Sequence, residues 1–322
     1  MLAHGGAQIQ IEQTKAALEQ AGVTVEPLRW WDDQQAGNIL QHFGRPPVYL
    51  VRAARQKGMK VAIIDLLTEI GARSRARLRV QRALMRIART ILPPRTIDQF
   101  NWESYLLADA CFANTPWEAH LIGYLYGTPP RKVHVLPNGV EDVFFQSASV
   151  ARGPWLLCTA TITERKRVLE LAEAAVAAKT PLRVLGKPYA PNDPYAQRFF
   201  RLAEKNPTLL RYDGSVGDRR ELARAYREAR GFVLLSRMET RSLSAEEAAA
   251  CECPLLLSDL PWARDVFQNA AVYCPVNVSV SATARQLKEF YSAAPRLPPP
   301  PKPMSWEGVG RQLATIYQQL VT

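Results

Sequence analysis

A strand, a turn, a helix and a second strand follow one another over residues 229–258, and this unit constrains the fold more than any other stretch. Its sequence is ARGFVLLSRMETRSLSAEEAAACECPLLLS. The pattern predicts a buried strand over Phe232–Leu235, a polar turn, a helix from Ser244 to about Cys251 and a strand over Leu255–Leu257. Apolar strands this short, bounded by turn residues, suit a parallel sheet covered on both faces. We therefore predict an α/β protein with doubly wound sheets.

Two carboxylates flank the polar turn. Glu239 stands at its entry and Glu247 follows eight residues later in the helix. Ligands of doubly wound sheets bind at the carboxyl ends of the strands, so we expect both carboxylates to face one ligand. The structural alternative for Glu247 is a capping box, in which Ser244 caps the helix and Glu247 reaches back to it. That alternative leaves Glu239 unexplained.

The stretch 229–275 resembles, nearly position by position, the donor-binding segment of glycosyltransferase family 4. Shared features are two glutamates with seven residues between them, an alanine-rich helix, a proline-led apolar strand, Ser258 and a D-x-x-x-x-x-D-V loop at 259–266. The K-V-x-V-L-P-N-G-V segment at 132–140 and the S-W-E start of the last helix match as well, so the resemblance covers most of the chain. It implies the GT-B fold, in which two Rossmann-like doubly wound domains face each other across a cleft.

The resemblance also implies the domain limits. Residues 1–145 form an N-terminal, acceptor-binding Rossmann-like domain that the C-terminal helix 305–322 completes, and residues 146–304 form the donor-binding domain. The turn at Pro137–Gly139 is followed by a predicted linker over Val140–Arg152, and six prolines stiffen the connector before the last helix.

The N-terminal half reads as alternating helices and strands. A glycine pair, Gly5 and Gly6, precedes the first helix, where bare backbone can approach a phosphate; the resemblance implies a loop over the donor phosphates and the acceptor. Met1–Ala3 is too short for the strand that precedes such a loop, so we expect the first strand to be missing. The predicted elements are a helix over Ile9–Ala21 and strands over Val23–Leu28, Ile39–Gly44 and Val61–Asp65.

Related enzymes carry a histidine near the sugar, shortly after a strand of this domain. Asp65 stands in that neighbourhood instead, and His42, at a strand end beside a glycine, is the other candidate. A purely structural histidine is the alternative for His42.

Cations follow the first strand of the second half. The resemblance implies that Arg and Lys after this strand neutralise the leaving diphosphate. Lys166 matches the lysine, whereas Thr161 stands where the arginine would be, so Arg165 or Arg167 is expected to substitute. Cations at a helix start are electrostatically unfavourable, which favours a functional role over a merely solvated cluster.

The implied site combines these residues. Glu239, Lys166 and Arg165 are the predicted catalytic residues. Glu247 is expected to bind the ribose. The remaining predicted donor contacts are Arg241, Ser242 and Leu243 at the diphosphate, Gly214 and Val216 beside the base, and Thr161.

The activity implied is that of a hexosyltransferase that moves a sugar from a nucleotide-sugar, with retention, to a hydroxyl of a glycan, lipid-linked or small-molecule acceptor. No carboxylate cluster has metal-site spacing, so we predict no metal and no cofactor beyond the nucleotide-sugar co-substrate. The alternative is a catalytically inactive GT-B-like nucleotide-sugar binding protein. That alternative would explain the missing strand, the absent histidine and Thr161.

The formal charge of +11 is unevenly distributed. Residues 73–95 hold eight arginines and no acidic residue, interleaved with apolar side chains, which predicts a basic amphipathic helix. Such helices favour anionic membrane surfaces. The alternatives are a solvated helix packed on its own domain and nucleic-acid binding, which we do not expect because no nucleic-acid motif accompanies the charge.

Composition predicts a cytoplasmic protein, peripheral at the inner face of the membrane if the basic helix binds lipid. No apolar run approaches the roughly 18 residues of a spanning helix, and the N-terminus lacks a charged leader with an apolar core. The five cysteines are odd in number and lie mostly in apolar stretches, as expected of reduced core thiols.

Overall fold

A computed structural model of the chain describes residues 6–29, 31–146 and 150–322. It divides into two compact units. The N-terminal unit holds the chain up to Gly139 together with Trp306–Thr322, and the C-terminal unit holds Val140–Ser305.

The N-terminal unit is built on a parallel sheet. Its described strands pair in chain order, which places β1 at one edge and β2 and β3 inside. All four residues of Val61–Ile64 are buried, as expected of a strand covered on both faces. The strands are β1 (Ile39–Phe43), β2 (Lys60–Ile64), β3 (Ala110–Ala113) and β4 (Val133–Val135).

Helices cover this sheet. The first one confirms the prediction for residues 9–21, and the predicted basic amphipathic helix is present as α4. A π-helical turn, Ile122–Tyr126, and a 3₁₀ turn, Pro130–Lys132, lead into β4. The α-helices are α1 (Gly6–Gln20), α2 (Val48–Gln56), α3 (Thr68–Gly71), α4 (Arg75–Ile91), α5 (Pro94–Gln99), α6 (Ser104–Leu107) and α7 (Pro116–Leu121).

The strand predicted over Val23–Leu28 is wrong. This segment has no regular secondary structure and pairs with none of the described strands; Val23 and Val25 are half-buried, and the other four residues are exposed. Period-two alternation is the signature of a half-buried strand, but the pattern requires a partner, and Pro27 removes one backbone donor.

A buried glutamate joins the loops after β2 and β3. The carboxylate of Glu118, which is 1% exposed, accepts hydrogen bonds from the backbone N–H of Leu67 at 2.9 Å and of Asn114 at 3.1 Å. Thr115 caps the same helix by accepting from the Glu118 N–H at 3.2 Å. One carboxylate thereby holds the carboxyl ends of two adjacent strands together.

The C-terminal helix, α15 (Trp306–Val321), packs against α1 within the N-terminal unit. Their approach depends on Gly310, because a Cβ there would lie 2.3 Å from the carbonyl oxygen of Ala17. A Cβ on Gly139 would likewise lie 2.5 Å from the ring of Trp306. The side-chain amide of Gln10 in α1 donates to Asn138 at 2.8 Å.

The C-terminal unit contains a larger parallel sheet. Its described strands lie in the order β10, β9, β8, β5, β6, β7. All side chains of β8 and β9 are buried, which confirms the prediction for the strands of the 229–258 unit. The strands are β5 (Leu156–Thr159), β6 (Leu182–Leu185), β7 (Leu210–Tyr212), β8 (Gly231–Leu234), β9 (Leu255–Ser258) and β10 (Val272–Cys274).

Helices also cover this sheet. Part of the predicted linker over Val140–Arg152 forms one of them. Residues 142–145 form a helical turn whose Phe144 is fully buried in the apolar core of the C-terminal unit. A single turn has too few residues to show a period, so the sequence does not reveal this helix. The helices are α8 (Asp142–Phe145), α9 (Val168–Ala178), α10 (Pro194–Lys205), α11 (Arg219–Glu228), α12 (Leu243–Ala250), α13 (Pro261–Phe267) and α14 (Val280–Ala293), with a 3₁₀ turn at Ala294–Arg296.

One arginine donates hydrogen bonds to the backbone carbonyls at the carboxyl ends of two helices. The guanidinium of Arg152 donates to the carbonyls of Tyr226, Arg227 and Ala229 at the end of α11, and to those of Cys251 and Glu252 after α12. A cation is favourable there because the carbonyls at a helix end are unpaired and carry partial negative charge.

Candidate active site

The sheet of the C-terminal unit has a single reversal of strand order among its described strands. The chain runs from β5 through β6 to β7 at one edge, then returns to β8 beside β5 and continues through β9 to β10 at the other edge. The connections after β5 and β8 therefore diverge and leave a crevice at the carboxyl ends of these strands. Open α/β sheets bind ligands at such a point.

The loops that border this crevice carry opposite charges. Lys166, after β5, forms a close ion pair with Glu239, after β8. The guanidinium of Arg165 lies 3.2 Å from the same carboxylate oxygen. The backbone N–H of Arg237 donates to the Arg165 carbonyl at 2.8 Å, which joins the two loops directly. All three predicted catalytic residues are thus brought together at the reversal.

Arg167 takes another direction. It adopts a left-handed backbone conformation with φ of 53°, is buried, and donates to the carbonyl of Val276 at 2.6 Å. Two arginines were expected to replace the arginine that is absent at Thr161. Arg165 lies beside Lys166 and Glu239, whereas the Arg167 side chain bonds to the Val276 carbonyl and forms no ion pair with Glu239. Thr161 is half-buried in the loop after β5.

The start of α12 differs from the capping box that is the structural alternative for Glu247. Ser242 is the N-cap, and its hydroxyl accepts from the backbone N–H of Ala245 at 3.3 Å; the Ser244 hydroxyl lies 3.0 Å from it. Because the N-cap is Ser242, two residues before Ser244, the capping box between Ser244 and Glu247 does not form. Glu247 therefore lies beyond the first turn, and its carboxylate is not used for capping.

A second buried pair lies beside this helix start. The Arg241 guanidinium contacts the Glu246 carboxylate at 2.6 Å, and Glu246 is completely buried. Burial raises the pKa of Glu246, and Arg241 opposes that shift. Sequence reasoning placed Arg241 at the diphosphate but missed Glu246. In the sequence, Glu246 could have been found from its position directly before Glu247 in the same helix.

The carboxylate of Glu247 is held by two donors. Arg219 of α11 contacts one oxygen at 2.5 Å, and the Tyr226 hydroxyl bonds to the other at 2.9 Å. Tyr226 also lies 2.6 Å from the hydroxyl of Thr159, the last residue of β5. Arg219 reaches Glu141 at 2.8 Å as well. Burial raises the pKa of Glu247, while Arg219 lowers it.

Gly214 and Val216 lie on the other side of the reversal, after the edge strand β7. Gly214 has φ of 71° and its carbonyl accepts from the Gly186 N–H at 2.7 Å. Gly186 is itself required, since a Cβ there would lie 1.9 Å from the carbonyl oxygen of Ala160 after β5. Val216 packs against the apolar core.

The described candidates in the N-terminal unit lie on two different elements. Gly6 is the first residue of α1, and Gly5 lies outside the described residues. His42 lies within β1 with Nδ1 2.9 Å from the Gly44 carbonyl oxygen.

A cluster that sequence reasoning missed follows β1 and β2. The Tyr105 hydroxyl donates to Asp65, and Arg45 donates to the hydroxyls of Tyr105 at 3.2 Å and Tyr126 at 2.6 Å. The two tyrosine rings stack with centroids 4.3 Å apart. In the sequence, Asp65 stands out only as the residue near the place of the family's histidine. The positions of Arg45 shortly after β1 and of Asp65 directly after β2 could have indicated a polar cluster at the ends of these strands.

No group of three or more His, Cys, Asp or Glu side chains in the described part of the chain could hold a metal ion. All five cysteines are buried and free.

Comparisons with known proteins agree with this geometry. Residues 140–298 match the family described as glycosyl transferases group 1, a range that contains every element of the site in the C-terminal unit. No curated protein sequence matches the chain significantly.

Solved structures share the fold. A glycosyltransferase from Rickettsia africae aligns with a TM-score of 0.63 at 13% identity, over 100% of this chain and 84% of its own. HepE of Anabaena in complex with UDP aligns with a TM-score of 0.58 at 13% identity, over 98% and 92%. The pneumococcal O-GlcNAc transferase GtfA, in complex with UDP and GlcNAc, aligns with a TM-score of 0.59 at 12% identity over 84% of this chain, which spans 55% of that enzyme. The fold is GT-B, with two Rossmann-like units.

Proposed function

We propose that this protein is a retaining hexosyltransferase that transfers a sugar from a nucleotide-sugar to an acceptor hydroxyl. The observation that carries the proposal is the meeting of Lys166, Arg165 and Glu239 at the reversal of strand order in the C-terminal unit. The family match over 140–298 and the GT-B fold support a glycosyltransferase.

The site offers complementary groups for each part of such a donor. The backbone N–H groups of Arg241, Ser242 and Leu243 stand at the positive end of α12, where an anion is stabilised. Lys166 and Arg165 supply the remaining charge for the diphosphate. When Lys166 and Arg165 bind the phosphates, the Glu239 carboxylate is released and accepts hydrogen bonds from sugar hydroxyls. Glu247 accepts hydrogen bonds from the ribose hydroxyls.

The reaction breaks the bond between the anomeric carbon and the diphosphate oxygen and forms a bond from that carbon to the acceptor oxygen on the same face. The leaving phosphate oxygen takes the acceptor proton. Lys166 and the α12 amides stabilise the negative charge that develops on the leaving group, which is commonly the largest contribution to catalysis. These groups do the work of a divalent cation, so the proposed reaction needs no metal and no further cofactor.

UDP is the first nucleotide to test, because HepE and GtfA are named in complex with UDP. The acceptor is a hydroxyl of a glycan, a lipid-linked sugar or a small molecule. We place the reaction in the cytoplasm, where five buried free thiols stay reduced.

The test is turnover of UDP-, GDP- and ADP-linked hexoses with and without EDTA, followed as release of the nucleoside diphosphate. We expect one nucleotide class to be turned over, unchanged by EDTA, with a product whose anomeric configuration by NMR equals that of the donor. Binding of a donor without any release would favour the alternative, a catalytically inactive nucleotide-sugar binding protein. An inverted product would contradict the retaining mechanism.

A further inference from the structure

Helix α4 has two apolar faces, although an amphipathic helix packed on a domain needs only one. Leu78 and Met85 are buried and pack on the N-terminal unit. A second apolar row lies roughly opposite and is exposed to solvent. It consists of Val80 (60% exposed), Leu84 (61%), Ile87 (52%) and Ile91 (72%), and we call it the α4 stripe.

The stripe has helical spacing and is therefore one continuous surface. Its members follow one another at intervals of four, three and four residues, so they align along a single side of the helix. Single exposed apolar side chains are ordinary, but a contiguous row bordered by polar residues marks an interaction surface.

Arginines border the stripe on both sides. By the angular positions of an α-helix, Arg77 lies next to the stripe on one side, and Arg79, Arg86 and Arg75 lie on the other side beyond Ala76, Ala83 and Thr90. All four are exposed, and none pairs with a carboxylate of the described residues. The neighbouring arginines on the inner side are engaged: Arg82 lies 4.2 Å from the ring centre of Tyr124, and Arg89 pairs with Glu103 at 3.3 Å.

The combination of an exposed apolar stripe with arginines on both sides indicates which kind of partner can bind this surface. A second copy of the chain would bring an equally basic, acid-free segment against the first, and the two would repel. A nucleic acid offers phosphates but no apolar layer for the stripe. An anionic bilayer offers both, because its headgroups attract arginine and its acyl boundary accepts apolar side chains.

We propose that α4 docks the protein on an anionic lipid bilayer, with the α4 stripe inserted at the headgroup boundary and Arg75, Arg77, Arg79 and Arg86 among the headgroups. The helix lies along the surface: no helix of the described residues is long and apolar enough to cross a membrane. The inference stands on α4 alone and is independent of the donor site.

The test is co-sedimentation of the full chain with vesicles of phosphatidylcholine alone or mixed with phosphatidylglycerol. We expect binding to the anionic vesicles that high salt weakens, and little binding to the neutral ones. Replacing Arg75, Arg79 and Arg86 by Gln should weaken binding about 100-fold, at about fivefold for each arginine. The stripe variant, with Val80, Leu84 and Ile87 replaced by Ser, should weaken it at least about tenfold.

Matched controls lie elsewhere on the surface. Arg201, Arg285 and Arg296 replaced by Gln remove the same charge from the C-terminal unit, and Ile11, Leu28 and Val321 replaced by Ser remove exposed apolar residues from the N-terminal unit. Both controls should bind as the native chain does. Equal binding to neutral and anionic vesicles, or equal losses in variants and controls, overturns the proposal. So does a native oligomer that the stripe variant converts to monomer without any vesicle binding.

Discussion

The guanidinium of Arg219 lies 2.5 Å from a carboxylate oxygen of Glu247, and its other side reaches Glu141 at 2.8 Å. Glu247 is nearly buried, so this contact sets the direction of the carboxylate before any ligand arrives. The Tyr226 hydroxyl holds the second oxygen. In the proposed function, these residues orient the ribose-binding carboxylate.

Replacing Arg219 by Met should lower the free energy of unfolding by about 3 kcal/mol, the low end for breaking a buried ion pair, because Glu247 is buried but Arg219 is partly exposed. The KM for the donor should rise more than kcat falls, since the change affects orientation of Glu247 and not the reacting atoms. Denaturant unfolding and steady-state kinetics measure the two effects. Arg220→Met, at the exposed neighbouring position, serves as the control and should change neither.

Lys166→Met should reduce kcat by about 100-fold or more, which is the usual cost of losing one preorganised group that stabilises developing charge. Lys205→Met removes an exposed lysine at the end of α10 and should leave kcat unchanged. Both are read from the release of the nucleoside diphosphate. A Lys166→Met rate equal to the native rate would falsify the assignment of this lysine to the leaving group.

The buried Glu246 predicts a pH dependence of stability. Burial raises its pKa in the folded state above the ordinary value of 4.5. Its contribution to stability is therefore full below pH 4.5 and is lost as the pH rises through the folded pKa. Relative to Glu246→Gln, the native protein should lose free energy of unfolding over that rise, as urea titrations at a series of pH values would show. A difference that stays constant or grows in favour of the native protein contradicts the burial-dominated shift.

Gly310→Ala should destabilise the N-terminal unit by about 1–3 kcal/mol, because the added Cβ would meet the Ala17 carbonyl and push α15 away from α1. Gly37→Ala is the matched control in the same unit, since nothing lies within 4 Å of the Cβ it adds. Thermal unfolding followed by circular dichroism distinguishes them. Equal midpoints for the two variants would mean that α15 can shift without cost.

Sequence reasoning recovered those parts of the fold whose signal is local. The strands around residues 229–258 were found because short apolar runs between turns are visible in one window of sequence, and the close match to a family motif placed Glu239 and Lys166 together. The strand predicted at Val23–Leu28 is wrong because none of the described strands pairs with this segment. Local spacing also cannot decide between Ser242 and Ser244 as the helix cap, so the capping box stands as an alternative for Glu247 until the structure shows Ser242 at the cap.

The residues that were missed act through contacts distant in sequence. Arg219 and Tyr226 precede Glu247 by 28 and 21 residues and reach it only because α11 packs beside α12. The tyrosines around Arg45 likewise come from 60 and 81 residues away. No periodicity or spacing rule connects such positions, so only the packed structure shows them.

The most direct test is the change in melting temperature that UDP, GDP and ADP produce in the native protein and in a Lys166→Met, Glu247→Ala double variant. At about 100 times the dissociation constant, a ligand that binds only the folded state adds about 2.7 kcal/mol. We predict that UDP raises the native melting temperature by several degrees and that the double variant loses most of this rise. An equal rise in both proteins, or none in the native protein with any of the three nucleotides, would contradict a donor site at the junction of β5 and β8.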